Sequence, residues 1–181
     1  MTRRCAAGAA LLSLSLSAGA ALPLGGAAPD FTLPAAMAGS VAPFSLAEAL
    51  KRGPVVLYFF PAAFTAGCNI EAHTFAGRIA EFQRLGATVI GVSNDDVATI
   101  ARFSQQECAG KFRVAADPDS TVIKAYDAKL PLIGRANRVS YLIGKDGRIR
   151  YEYSAMAPEG HIENTLKALK ELAPAEPEHQ P

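Results

Sequence analysis

The sequence predicts a single α/β domain in which a central mixed β-sheet is flanked by helices on both faces. Three observations carry that prediction. The run Val55-Val56-Leu57-Tyr58-Phe59-Phe60 is continuously apolar, as expected of a strand buried on both sides. Strand-like and helix-like patterns alternate after it, which is the order of an α/β sheet rather than of a bundle or a sandwich. The length, 181 residues, suits one core better than two.

Each element has its own signal. After the apolar strand, Phe75, Ile79, Phe82 and Leu85 recur at helical spacing and predict a helix from Cys68 to Leu85, with Gly86 as its C-cap. Ala87 to Ser93 reads as the next strand. Asn94 or Asp95 then caps a helix running to about Cys108, with Val97, Ile100, Ala101 and Phe103 inward. Phe112 to Ala115 is a short strand closed by Asp117-Pro118, and Thr121 to Tyr126 is a helical segment leading into a loop through Pro131 and Gly134. Arg138 to Ile143 and Arg148 to Tyr153 pair as a hairpin across Lys145-Asp146-Gly147, whose Asp-Gly step suits the turn. His161 to Leu172 closes the fold as an amphipathic helix through Ile162, Leu166 and Leu169.

The two ends fall outside this pattern. Residues 1–21 place Arg3 and Arg4 before a small-residue apolar run and end near Ala18-Gly19-Ala20, the layout of a secretory signal peptide. An uncleaved anchor is the alternative, disfavoured because the run is shorter than the ~20 residues that span a bilayer. Cleavage implies an exported, periplasmic protein with no membrane segment in its mature form. Cys5 leaves with the leader. Residues 174–181 carry prolines and no large apolar side chain, so they read as a disordered tail, leaving residues 22–173 as the folded domain.

Composition excludes several functions. Eighteen Lys and Arg against seventeen Asp and Glu leave a net charge of +1 with no basic block, so no nucleic-acid partner is expected. Cys5, Cys68 and Cys108 are too few and too scattered for a disulfide scaffold or a four-ligand zinc site, and His73, His161 and His179 add no ligand spacing. No metal and no cofactor are expected.

The chemistry concentrates at Pro61-Ala62-Ala63-Phe64-Thr65-Ala66-Gly67-Cys68. Cys68 begins a helix just past a buried strand, where free amides and the macrodipole favour a thiolate. On position alone, a buried cysteine acting as a small hydrophobe is an equal alternative. Thr65 can turn a hydroxyl toward the sulfur, or serve only as a cap, and Pro61 can shield the pocket or simply end the strand.

This motif stands between Ala28-Pro29-Asp30-Phe31-Thr32-Leu33 and Pro54 to Pro61 on one side, and Gly91-Val92-Ser93, Asp117-Pro118-Asp119 and Arg138 to Gly147 on the other. In motifs and order the chain resembles the peroxiredoxins, thiol peroxidases of thioredoxin-like fold, and among them the bacterioferritin comigratory protein type. The resemblance implies that Cys68 attacks hydrogen peroxide or an organic hydroperoxide and becomes a sulfenic acid, releasing water or an alcohol. It implies that Thr65 hydrogen-bonds the peroxide, that Arg138 holds the thiolate and polarises the O–O bond, and that Glu71 orients Arg138. Without it, Arg138 would read as a surface strand residue and Glu71 as a solvated helix carboxylate.

Two positions depart from the family pattern. Asn69 stands where Thr is common, and His73 stands where many members carry the resolving cysteine, so His73 reads as a helix-surface residue. Some members place that cysteine on the helix after the second core strand, which points to Cys108. There is a physical objection: that helix descends about 1.5 Å per residue away from the active-site edge, whereas a disulfide needs Cα atoms within about 7 Å. Pairing therefore requires local unfolding. The alternative is an enzyme using one cysteine, with Cys108 structural. A thioredoxin-like donor is the implied reductant, and the chain would act as a monomer or homodimer. A thiol-disulfide oxidoreductase is a competing reading, opposed by Thr65 at the first position of what would be Cys-x-x-Cys; a non-catalytic binding module is another.

Overall fold

The computed structural model describes residues 21–172; residues 1–20 of the predicted leader, Cys5 among them, and the predicted tail lie outside the described residues. These residues form a seven-stranded sheet and five helices: β1 (Thr32–Met37), β2 (Ser40–Ser45), α1 (Leu46–Arg52), β3 (Val55–Phe59), α2 (Ala66–Arg84), β4 (Thr88–Ser93), α3 (Val97–Gln106), β5 (Arg113–Ala116), α4 (Thr121–Ala125), β6 (Val139–Ile143), β7 (Ile149–Ser154) and α5 (Glu159–Leu172).

The strand order is β2-β1-β5-β4-β3-β6-β7. β3 runs parallel to β4 and β4 to β5, while the other pairs are antiparallel, so the sheet is mixed. Every residue of β3 is buried. Its alternate side chains divide the core: Val56 and Tyr58 pack with α2, α3 and α5, and Val55, Leu57 and Phe59 pack with α1 and α4. Helices thus cover both faces, as the apolar run requires.

Tyr58 forces a choice on its neighbour. It sits opposite Gly91 in the β3–β4 register, and a Cβ on Gly91 would lie 2.6 Å from the phenol ring. Only glycine leaves room there.

Several boundaries differ from expectation. α2 starts two residues earlier than predicted, with Thr65 as N-cap, and closes as a Schellman motif: Gly86 N donates to Gln83 O and Ala87 N to Phe82 O. The N-cap of α3 is Asp96, whose carboxylate accepts from Thr99 N at 2.7 Å, rather than Asn94 or Asp95. Asp95 is engaged instead with the loop that follows β3. α3 also ends at Gln106, so Cys108 lies in the turn beyond it. The β1–β2 hairpin and α1 were not predicted. Pro34 and Pro43 face each other in that hairpin, and its short, alanine-rich strands carry neither β-branched density nor a clean alternation.

Candidate active site

The site lies at the carboxyl end of β3, where the chain leaves the sheet and turns into α2. Phe60 N still bonds to Val92 O, and the loop then passes Pro61, Ala62, Ala63 and Phe64. Phe64 takes a left-handed backbone conformation, φ 63°, which a bulky residue adopts at a cost of order 1 kcal/mol. The ring compensates by packing edge-on against Phe103 at 5.4 Å. Asp95 pins the loop from the end of β4: its Oδ2 accepts from Ala63 N at 2.7 Å and from Ser93 Oγ at 2.8 Å, and its Oδ1 from Arg135 at 3.2 Å. Asp95 is therefore a loop staple and not a helix cap, a role that its position in the sequence did not reveal.

Cys68 is the third residue of α2, within the turn whose amides lack intrahelical acceptors, and it is 2% exposed. Its Sγ accepts from Arg138 Nη2 at 3.4 Å. The guanidinium can come this close because residue 67 is glycine; a Cβ there would lie 3.1 Å from Nη2. Arg138 is buried rather than on the surface, and it precedes β6 by one residue. Its Nη1 pairs with Glu71 Oε2 and its Nε donates to Met156 O at 3.0 Å. Three donors of one planar group are thus aimed at three different partners.

Glu71 is fully buried, which corrects the solvated alternative. Burial pushes its carboxyl above the usual range, against the pull of Arg138. Its second oxygen, Oε1, has no hydrogen-bond partner among the described residues and lies 3.9 Å from His161 Nδ1. Thr65 is exposed and donates its hydroxyl hydrogen to Ala62 O at 2.9 Å. With its hydrogen committed, Thr65 Oγ presents lone pairs to an incoming O–H. Pro61 lies half-buried two residues past β3.

Cys108 does not join this group. It is fully buried, and both it and Cys68 are unpaired thiols. His73 lies on the α2 surface as expected, and its Nε2 is 2.9 Å from Glu107 Oε2. The turn carrying Cys108 therefore sits beside residue 73, five residues and about 7.5 Å of helix rise below Cys68. Burial, with a smaller contribution from the Glu107 carboxylate, pushes the Cys108 thiol well above its ordinary range.

Met156, Ser140 and His161 complete the surroundings of Arg138 and Glu71, and none of them was predicted. Met156 acts through a backbone carbonyl, which no sequence pattern exposes. Among the described residues no cluster of three or more His, Cys, Asp or Glu is arranged to hold a metal ion, and no helix is long and apolar enough to cross a membrane.

Known proteins resemble the chain in sequence and in fold. A family profile, the AhpC/TSA family, matches residues 24–152. The chain is 37% identical over 150 residues to the chloroplastic peroxiredoxin Q of Oryza sativa subsp. japonica, covering 82% of this chain and 67% of that protein. It is 37% identical over 148 residues to the chloroplastic peroxiredoxin Q of Arabidopsis thaliana, covering 81% and 66%. Among solved structures, peroxidoxin BcpB from Mycobacterium tuberculosis superposes with a TM-score of 0.76 at 29% identity, over 82% of this chain and 97% of that one. Xylella fastidiosa PrxQ, solved as a cysteine-to-serine mutant, superposes with a TM-score of 0.76 at 27% identity, over 86% and 100%.

Proposed function

Since the chain belongs to the AhpC/TSA family and is a peroxiredoxin, a thiol peroxidase of thioredoxin-like fold, we propose that Cys68 is its peroxidatic nucleophile and Arg138 the group that stabilises the charge. The observation that carries this reading is the contact between Arg138 Nη2 and Cys68 Sγ at 3.4 Å in the first turn of α2. A fixed guanidinium favours the thiolate over the thiol and is already in place for the charge that develops on the peroxide oxygens.

The thiolate attacks the terminal oxygen of ROOH. The S–O bond forms as the O–O bond breaks, two electrons pass from sulfur to the peroxide, and RO⁻ leaves and takes up a proton as alcohol, or as water when R is hydrogen. Thr65 Oγ, its own hydrogen held by Ala62 O, accepts from the peroxide O–H and sets the direction of attack. Pro61 closes one wall of the approach. Glu71 on Nη1 and Met156 O on Nε hold the arginine.

Cys108 then resolves the sulfenic acid: its sulfur attacks Cys68 Sγ, hydroxide leaves as water after protonation, and a disulfide remains. A thioredoxin-like dithiol reduces that disulfide and becomes oxidised in turn. The thiolate is the attacking species in such exchange, and burial disfavours it at Cys108, so the turn around Cys108 must open first. The contact between the exposed His73 and the half-buried Glu107 is a modest barrier to that opening. Residues 1–21 support export of the enzyme to the periplasm, where a disulfide cycle is compatible with the redox conditions.

One experiment covers these steps. After one equivalent of peroxide, peptide mapping is expected to find a Cys68–Cys108 disulfide in the wild type and no peroxide consumption by Cys68→Ser. Cys68 sulfenic acid or mixed disulfides alone would reject Cys108 as the resolving residue. Full peroxidase activity in Cys68→Ser would remove the central assignment. The same map of protein made in an exporting host reads the N-terminus, and a start at Met1 would reject cleavage.

A further inference from the structure

We infer that His161, in the first turn of α5, is a positioning residue that holds the Arg138 guanidinium on Cys68 through the backbone carbonyls of Ala155 and Met156. The inference rests on the roles of Cys68 and Arg138 proposed above.

His161 is fully buried, and both ring nitrogens are engaged: Nε2 lies 2.8 Å from Ala155 O and Nδ1 lies 2.8 Å from Ser140 Oγ. A carbonyl only accepts, so Nε2 carries the ring proton and Nδ1 accepts from the Ser140 hydroxyl. That pair of bonds fixes both the tautomer and the ring plane. The groups facing the ring are Tyr153, whose ring stands edge-on at 4.8 Å, Glu71 with Oε1 at 3.9 Å from Nδ1, and, beyond Glu71, Arg138.

The link to catalysis is the segment between β7 and α5. Ala155 N donates to Arg138 O at 3.3 Å, and Met156 O accepts from Arg138 Nε at 3.0 Å. Met156 itself is 56% exposed, so its side chain does little to hold the segment. His161 grips the segment twice, through Nε2 on Ala155 O and through its own backbone N on Pro158 O at 3.2 Å. The Ala155 carbonyl is thereby fixed one residue from the Met156 carbonyl.

Guanidinium geometry makes this matter. The group is planar, so the direction of Nε–H determines where Nη2 points. With Met156 O in place, Nε, Nη1 and Nη2 are each held and Nη2 stays on the sulfur. With the carbonyl loose, Glu71 alone steers the group, and the plane can turn away from Cys68. A displacement of about 1 Å at a charge-stabilising group is enough to slow a reaction substantially.

The test separates positioning from simple core filling. His161→Asn keeps an acceptor for Ser140 but cannot reach Ala155 O, whereas His161→Gln places an amide N–H near the position of Nε2 and keeps that bond. The readouts are the second-order rate of Cys68 with hydrogen peroxide by stopped flow and its pH profile. His161→Asn is expected to react about ten-fold more slowly, with its profile displaced to higher pH, and His161→Gln to stay within about two-fold of wild type. In an Arg138→Ala background, His161→Asn should add less than about two-fold, because the group it positions is gone.

A ten-fold loss of equal size in both backgrounds, or in His161→Gln as much as in His161→Asn, would overturn the inference. So would an unchanged rate in His161→Asn. Should the Asn variant not fold, His161→Met, which also lacks the donor, replaces it under the same criteria. Arg138→Ala reacting as fast as the wild type would overturn the underlying reading of Arg138, and the inference with it.

Discussion

Arg138 is the residue on which most of the site converges. It contacts Cys68, Glu71 and the Met156 carbonyl at once and is almost wholly buried. Arg138→Ala is expected to slow the peroxide reaction by about 10²–10³-fold, the usual cost of losing one preorganised donor, and to move the pH–rate profile upward. Stopped-flow rates between pH 5 and 9 check this; an unchanged profile would count against the assignment. The variant also leaves the buried Glu71 carboxyl without its hydrogen-bond donor, so its melting temperature should fall. Cys68, Thr65 and Arg138 were legible as candidates because a short motif and a resemblance point at them. Asp95, Ser140 and His161 were not, since each acts on a partner that only the folded chain brings near. Ser140 and His161, for example, are 21 positions apart in sequence and 2.8 Å apart in space.

At the scale of elements, the buried strand and the long helices were the readable parts. β3 announced itself by six apolar residues, and α2 by a stripe whose Phe75, Ile79 and Phe82 are buried. The β1–β2 hairpin was missed because its paired prolines and alanines carry little strand signal, and sheet pairing outweighs propensity there. The start of α3 was misplaced by one or two residues because Asn94 and Asp95 have the same capping chemistry as Asp96, and only the fold shows Asp95 bonding the active-site loop and Asp96 capping the helix. Packing between β3 and β4 yields a prediction of its own. Gly91→Ala puts a methyl into the Tyr58 ring and should cost about 1–3 kcal/mol by overpacking. Urea denaturation measures it, and a variant as stable as wild type would mean that the Tyr58 ring moves freely.

For the molecule as a whole, the buried titratable groups near the site set a pH dependence of stability. Burial lowers His161 to about 4, and Arg138 adds to that; unfolded histidine titrates near 6.5. Between those values the unfolded chain binds a proton that the native state refuses, so this contribution is fully present above about pH 6.5 and lost as pH falls toward 4. Glu71 acts with the opposite sign: raised by burial to about 8, it favours the native state below its unfolded value and loses that contribution as pH rises through 8. Comparison with His161→Gln isolates the histidine. From pH 7 to 5 the wild type should lose stability relative to that variant by up to about 1.4 kcal/mol per pH unit, read from urea midpoints; parallel curves would show that His161 is not kept neutral by the fold. Sequence alone determined the fold class and singled out Cys68 as the candidate nucleophile, because apolar periodicity and the motifs that carry the family resemblance are local properties of the chain. Tertiary structure alone decided how the arginine is held, that Glu71 is buried, and that Cys108 sits below Cys68 on α2's flank. Those depend on burial and on contacts between β3, α2, β6 and α5, which no single stretch of sequence contains.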